Sequence, residues 1–231
     1  MFGTTYTSGI TDYRSAEEIN SAMARVYGHM SVAVAISMLV SWFVGSTPEL
    51  LAFFFTGILK WIVIFAPLAA ILVLAFASEH FNKTQLKLFL YSFAALMGLS
   101  MATIFAVFTM GSIVSAFMGA AILFAVMSGY GYFTKQSLDS MGKFMIVGLI
   151  AIVIASIVNI FIGSTVMQMV ISALAIIIFL GLTAYDTQKI REAVSADGDT
   201  GREEVLGALT LYMDFINLFM NLLQLFGVKK S

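Results

Sequence analysis

Seven long apolar runs restrict what this sequence can fold into more than any other feature. A helix needs about 20 predominantly apolar residues to cross the hydrocarbon layer of a membrane. Runs near that length occupy residues 26–44, 61–77, 86–108, 112–133, 144–162, 166–185 and 205–226. The sequence therefore predicts an all-α integral membrane protein with seven transmembrane helices.

The composition agrees with a membrane protein and argues against several other classes. Hydrophobic residues make up 60% of the 231 residues and charged residues only 11%, whereas soluble domains are about one quarter charged. The net charge of −1 provides no broad positive field for nucleic acid. The chain has no cysteine, which excludes disulfides and thiolate metal sites.

Outside the apolar runs there is little material for a second domain. We expect an N-terminal arm at residues 1–25, a membrane domain at residues 26–227 and a short C-terminal tail at residues 228–231. The only other long polar stretch is residues 187–204, which we expect to form a loop.

The distribution of lysine and arginine predicts the orientation. Because basic loops stay in the cytoplasm, the side that carries most of these residues should be cytoplasmic, and the N terminus lies on that side. The opposite loops hold only Lys60, but seven full crossings would also place Lys229 and Lys230 there. A re-entrant last segment would keep this pair inside; the length of residues 205–226 favours seven crossings. The nine residues on the N-terminal side are Arg14, Arg25, Lys83, Lys87, Lys135, Lys143, Lys189, Arg191 and Arg202.

The last apolar run carries a stripe of polar side chains. Their spacing of four and three residues places them on one face of a helix. A carboxylate that faces lipid costs several kcal/mol, so we expect this face to meet protein or water inside the bundle. The predicted pore or polar seam consists of Thr210, Asp214, Asn217, Asn221 and Gln224.

A second carboxylate, Asp186, stands at the end of the sixth run. It and Asp214 belong to the same half of the membrane, although spacing alone leaves open whether they touch. Intramembrane ionisable residues usually mark ion or proton paths, which favours a functional Asp214, whereas Asp186 could equally be a structural residue at the interface. Asn159 and Gln168 are expected to form hydrogen bonds between helices.

The segments around both aspartates resemble a known family. GLTAYDTQKI contains Asp186, and GALTLYMDFINLFMNLLQLFG contains Asp214. Together with ARVYGHMSVAVAISML and YGYFTKQSLDSMGKF, they resemble the transmembrane Bax inhibitor motif family, in particular its bacterial branch. The likeness extends from Ala22 to Gly227.

This resemblance implies a fold and a function. It implies seven helices with the last one central and wrapped by two groups of three, in a bacterial inner membrane. It also implies a pH-sensitive calcium leak, in which Asp186 and Asp214 share hydrogen bonds and act as the gate. Other members modulate a membrane-bound protease or cell-death pathways, so a regulator that binds a membrane protein partner stays open as an alternative.

The chain departs from the family pattern at one position. Some bacterial relatives carry arginines where the second helix ends, and one of them contacts the aspartate of the sixth helix. Here the corresponding segment reads ASEHFNK, with Ser78, Glu79 and His80. An acidic residue cannot replace an arginine, so the resemblance does not predict how this chain holds its gate closed.

An aspartate pair is chemically suited to sensing pH. Two carboxylates held close cannot both ionise cheaply, so they would share a proton and titrate as a unit. Calcium prefers six to eight oxygen ligands, and Asp186, Asp214 and Asn217 with water could offer only a weak transit site. A leak suits that weakness, because a permeating ion must also leave.

We expect no enzyme and no resident cofactor. Intramembrane aspartyl proteases need Gly-x-Gly-Asp around the second aspartate, whereas Leu211 to Asp214 reads LYMD. The only histidines, His29 and His80, do not form the His-Glu-x-x-His motif of a zinc hydrolase. The last run contains no lysine that could bind retinal.

Overall fold

Nine α-helices with short connections account for most of residues 15–195 and 201–230, which are the residues that the computed structural model describes. Seven helical segments are long and apolar enough to cross a membrane, and α4 and α5 together form one of them. The predicted all-α membrane class is therefore confirmed. The helices are α1 (Ala16–Gly45), α2 (Pro48–Phe55), α3 (Leu59–Ala77), α4 (Lys83–Met101), α5 (Ile104–Val107), α6 (Met110–Phe133), α7 (Asp139–Ile162), α8 (Thr165–Ser195) and α9 (Arg202–Phe226).

Local sequence explains where several helices begin and end. Ser15 and Glu18 form a capping box before α1, in which each side chain accepts the backbone N–H of the other residue. Asn82 and Gln85 do the same before α4. Gly163 ends α7 in the left-handed conformation (φ 69°), which glycine adopts without steric cost.

The central position belongs to α9. In a first group α4 packs against α1 and α3, and in a second group α8 packs against α6 and α7. α9 packs most extensively against α8, and also against α1, α6 and α4. The most apolar stretch of α9 is 67% buried, compared with 11% for that of α7. The last helix is thus wrapped by two three-helix groups, as expected.

The contacts at its two ends show that α9 crosses the bundle completely. At its start, Glu204 contacts Lys83, the first residue of α4. Beyond its end, the backbone N–H of Lys230 donates to Val107, the last residue of α5, and the backbone carbonyl of Val228 accepts from Thr109, the residue before α6. We call these the proximal end (around Glu204) and the distal end (around Val228). A full crossing agrees with seven spans.

The predicted loop at residues 187–204 is wrong at both ends, because α8 continues to Ser195 and α9 already begins at Arg202. Ile190 and Val194 are buried, and their spacing of four residues keeps them on one face of the helix. Packing of this face extends the helix through a stretch whose polar residues looked like a loop.

The predicted arm and tail lie partly outside the described residues. α1 begins at Ala16, so residues 16–25 of the arm are helical and continue directly into the first span. Residues 1–14, which include Arg14, and residues 196–200 and 231 belong to the undescribed part of the chain.

Candidate functional site

Glycines hold the segment of α8 that carries Asp186. A methyl group at Gly131 of α6 would collide with the carbonyl oxygen of Ala184, and one at Gly142 of α7 would collide with the ring of Tyr185. Only glycine allows neighbouring helices to approach α8 this closely. Because α6 and α7 pack closely against α8 at these glycines, they fix the rotation of α8 and therefore the direction in which Asp186 faces α9.

The structure brings Asp186 and Asp214 together across the seam between α8 and α9. Their carboxyl groups lie within hydrogen-bonding reach of each other. The side chain of Asp214 is buried, with 4% of the residue exposed, and Asp186 is half-buried. A carboxylate oxygen can only accept a hydrogen bond, so a bond between the two groups requires a proton on one of them.

Asp214 has little support besides Asp186. Its buried Oδ2 accepts no hydrogen bond from an N–H or hydroxyl group of the described residues. A buried acceptor without a partner costs about 1–3 kcal/mol. An oxygen in this state would gain from binding water or a cation.

The remaining stripe residues are less buried than predicted. Asn217 and Asn221 are half-buried, whereas Thr210 and Gln224 are exposed, so the prediction of an interior position is wrong for both ends of the stripe. The reason is that the helices around α9 cover its apolar faces. Three stripe side chains donate to backbone carbonyls four residues earlier in α9: Thr210 to Leu206, Asn217 to Met213, and Asn221 to Asn217.

The two amides expected to join helices do so. Asn159 of α7 donates to Gln168 of α8 at 3.2 Å, and its carbonyl oxygen accepts the N–H of Ser164. These hydrogen bonds stabilise the connection between α7 and α8. Because they lie far along α8 from Asp186, we assign them to helix packing.

A chain of three hydroxyl groups, which was not predicted, ends on α8 at the residue after Asp186. Tyr27 of α1 bonds to Ser128 of α6 at 2.6 Å, and Ser128 bonds to Thr187 of α8 at 3.0 Å. Thr187 directly follows Asp186 in the sequence. Tyr27 and Ser128 also line a groove of about 500 Å³ between α1 and α6. The chain therefore connects this groove to the part of α8 that carries Asp186.

An ionic cluster at the proximal end was also missed. Glu204 is buried, and its carboxylate accepts from Arg25 of α1 at 2.6 Å and 2.9 Å and from Lys83 of α4 at 3.1 Å. Arg202 donates to the carbonyl oxygens of Ser78 and Glu79 at the end of the second span. The segment in which some bacterial relatives carry arginines is thus bonded here by Arg202 of α9.

The described residues contain no group of three or more histidine, aspartate or glutamate side chains that could hold a metal ion. Two aspartates alone offer too few ligands for tight calcium binding. If an ion binds at Asp186 and Asp214, water must supply most of its ligands.

Comparisons with known proteins identify relatives along almost the whole chain. The family described as "Inhibitor of apoptosis-promoting Bax1" matches residues 19–231. The inner membrane protein YbhL of Escherichia coli (strain K12) is 37% identical over 218 residues, which cover 92% of this chain and 93% of that protein. The membrane protein SpyM3_0260 of Streptococcus pyogenes serotype M3 is 35% identical, over 90% of this chain and 93% of that protein. None of these names is that of an enzyme.

Proposed function

Because this chain belongs to the Bax inhibitor family of membrane proteins, we propose that it is a pH-sensitive, calcium-permeable leak channel of the cell membrane. Asp186 and Asp214 are its gate. The observation that carries the proposal is the contact between these two carboxyl groups at the seam between two membrane-spanning helices. Calcium is the permeant ion and not a resident cofactor.

The gate works through the number of protons on the pair. With one proton, the bond is charge-assisted, and such bonds are about twice as strong as neutral ones. Loss of this proton leaves two carboxylates that repel each other across the seam. Gain of a second proton replaces the charge-assisted bond by a weaker neutral one. Flux is therefore lowest where the pair carries one proton and rises on either side of that pH.

The seam also suits a permeating cation. The buried Oδ2 of Asp214, which accepts no N–H or hydroxyl hydrogen bond from the described residues, attracts a cation, and α9 has a polar, partly exposed stripe on which an ion could keep part of its hydration shell. Sites that bind weakly allow an ion to leave again, which conduction requires.

A second candidate function is a non-transporting regulator that binds a membrane protein partner. The family description, which names inhibition of Bax1, favours it. In such a protein the aspartate pair would only hold α8 to α9.

Calcium entry into liposomes distinguishes the two functions. The purified protein is reconstituted into vesicles that contain a calcium-sensitive dye, and entry is followed across a series of pH values. A channel gives entry above that of protein-free vesicles, with a minimum at one pH. Entry that equals the protein-free control at every pH would refute transport and leave the regulator.

A further inference from the structure

Two polar residues of α9 face the first group of helices. Glu204 contacts α1 and α4 at the proximal end, and Tyr212 lies two residues before Asp214. Two residues correspond to about 200° of rotation along an α-helix. Tyr212 and Asp214 therefore point to nearly opposite sides of α9 at almost the same depth.

Tyr212 takes part in a completely buried hydrogen-bond network. Its hydroxyl lies 2.7 Å from Ser37 Oγ of α1, and Ser37 lies 2.7 Å from the carbonyl oxygen of Ala94 of α4. Ser37 has one hydroxyl hydrogen, and if it donates to Ala94, Tyr212 donates to Ser37. Through Ser37, the side chain of Tyr212 thus links α9 to both α1 and α4.

Glu204 forms a second connection to the same two helices. Its carboxylate is buried, whereas Arg25 and Lys83 are partly exposed (48% and 37% of their side chains). The cost of burying Glu204 is recovered only while both partners stay in place. α9 is therefore bound to the first group at two depths, and the Asp186–Asp214 contact joins it to α8 of the second group.

We propose that Glu204 and Tyr212 are positioning residues that hold α9 on the first group of helices, so that the gate opens between α8 and α9. This inference rests on the proposed function and adds which part of the protein moves. When the aspartate bond breaks, α9 stays with α1 and α4, and α8 moves away with α6 and α7. Loss of either connection lets α9 rotate and turns Asp214 away from Asp186.

A disulfide reports directly on how Asp186 and Asp214 face each other. The chain has no cysteine, so Asp186→Cys with Asp214→Cys gives a single possible bridge. Its rate of formation under mild oxidation is compared with and without Tyr212→Phe, which removes one hydroxyl and keeps the ring. Loss of a buried hydrogen bond weakens the aligned arrangement of α9 by roughly fivefold, so we expect bridging to slow by up to about that factor.

Glu204→Gln provides the second variant, and Glu203→Gln is its matched control, because Glu203 is the neighbouring acidic residue and is exposed. We expect Glu204→Gln to slow bridging at least as much as Tyr212→Phe, and Glu203→Gln to leave it unchanged. Unchanged bridging with Tyr212→Phe and with Glu204→Gln would overturn the proposal. If Glu204→Gln does not fold, Tyr212→Phe alone decides.

Calcium flux through the protein with both aspartates intact separates positioning from simple stabilisation. We expect Tyr212→Phe and Glu204→Gln to shift the pH of minimum flux, whereas a merely structural loss would lower the amount of protein and keep the profile. Slower disulfide formation in the two variants, together with a wild type that shows no calcium flux, would refute the channel and leave Glu204 and Tyr212 as positioning residues. Unchanged disulfide formation in the variants, together with a wild type that conducts calcium, would refute only their positioning role. The charged groups that face Glu204 are Arg25 of α1 and Lys83 of α4, with His29 of α1 nearby, and the titratable group that faces Asp214 is Asp186 of α8.

Discussion

Asp214 is the residue whose position requires the most explanation. A charged carboxylate in the middle of a membrane helix costs about 3 kcal/mol or more. Among the described residues the group beside it is the carboxyl group of Asp186, and no N–H or hydroxyl group bonds to the buried Oδ2 of Asp214. A buried acid with so little support is costly to keep, which is the expected property of a group that must change its protonation.

Gly131 allows the close approach that supports this pair. Gly131→Ala places a methyl group against the carbonyl oxygen of Ala184, and because backbone cannot move aside cheaply we expect a loss of about 1–3 kcal/mol in unfolding free energy. Thermal unfolding in detergent measures it. The matched control is Gly129→Ala on the same helix, where a methyl group meets nothing within 4 Å. Equal melting temperatures for the two variants would contradict the role of Gly131.

At the level of the helix, α9 combines a polar stripe with a mostly buried surface. Leu211, Leu218 and Phe219 are fully buried against the surrounding helices, whereas Thr210 and Gln224 are exposed. Apolar packing and the contacts of Glu204 and Tyr212 together hold the rotation of α9, and the two ends of its polar stripe are the least covered.

Cysteine labelling tests this rotation. A thiol reacts with maleimide as a thiolate that reagent can reach, so in detergent we expect Gln224→Cys to react quickly and Phe219→Cys slowly. The absence of native cysteine makes each variant a single reporter. Rapid reaction at Phe219→Cys, with Gln224→Cys protected, would show that α9 is rotated.

For the whole molecule, the charges at the two ends of the bundle predict its orientation. Eight of the described lysine and arginine residues lie at the proximal end, including Arg25 and Lys83, whereas the distal end has Lys60, Lys229 and Lys230. We expect a reporter fused at residue 1 to be cytoplasmic and one fused at residue 231 to lie on the opposite side. Reporters on the same side would contradict seven crossings, and exchanged sides would contradict the orientation.

The sequence predicted the spans because a membrane helix must be apolar along its whole length. It could not predict the contacts of Glu204, whose partner Arg25 lies 179 residues away, because such pairs depend on how the two groups of helices are assembled. A glutamate at the start of a span that is otherwise apolar was the available signal. We expected the whole polar stripe of α9 to be buried, but its two ends are exposed. Periodicity shows which residues share a face of a helix, and it does not show which face the neighbouring helices cover.

The central claim is that Asp186 and Asp214 act as one proton-sensing gate. Its most direct test is the pH profile of calcium flux for Asp186→Asn, Asp214→Asn and the double variant, measured in the same liposomes as the wild type. Asparagine keeps the shape and removes the coupled titration, so each single variant should lose the pH dependence. The double variant should lie within about twofold of either single variant, because the two residues act as a unit. Single variants that keep the wild-type profile would contradict the claim and leave the pair as a packing contact.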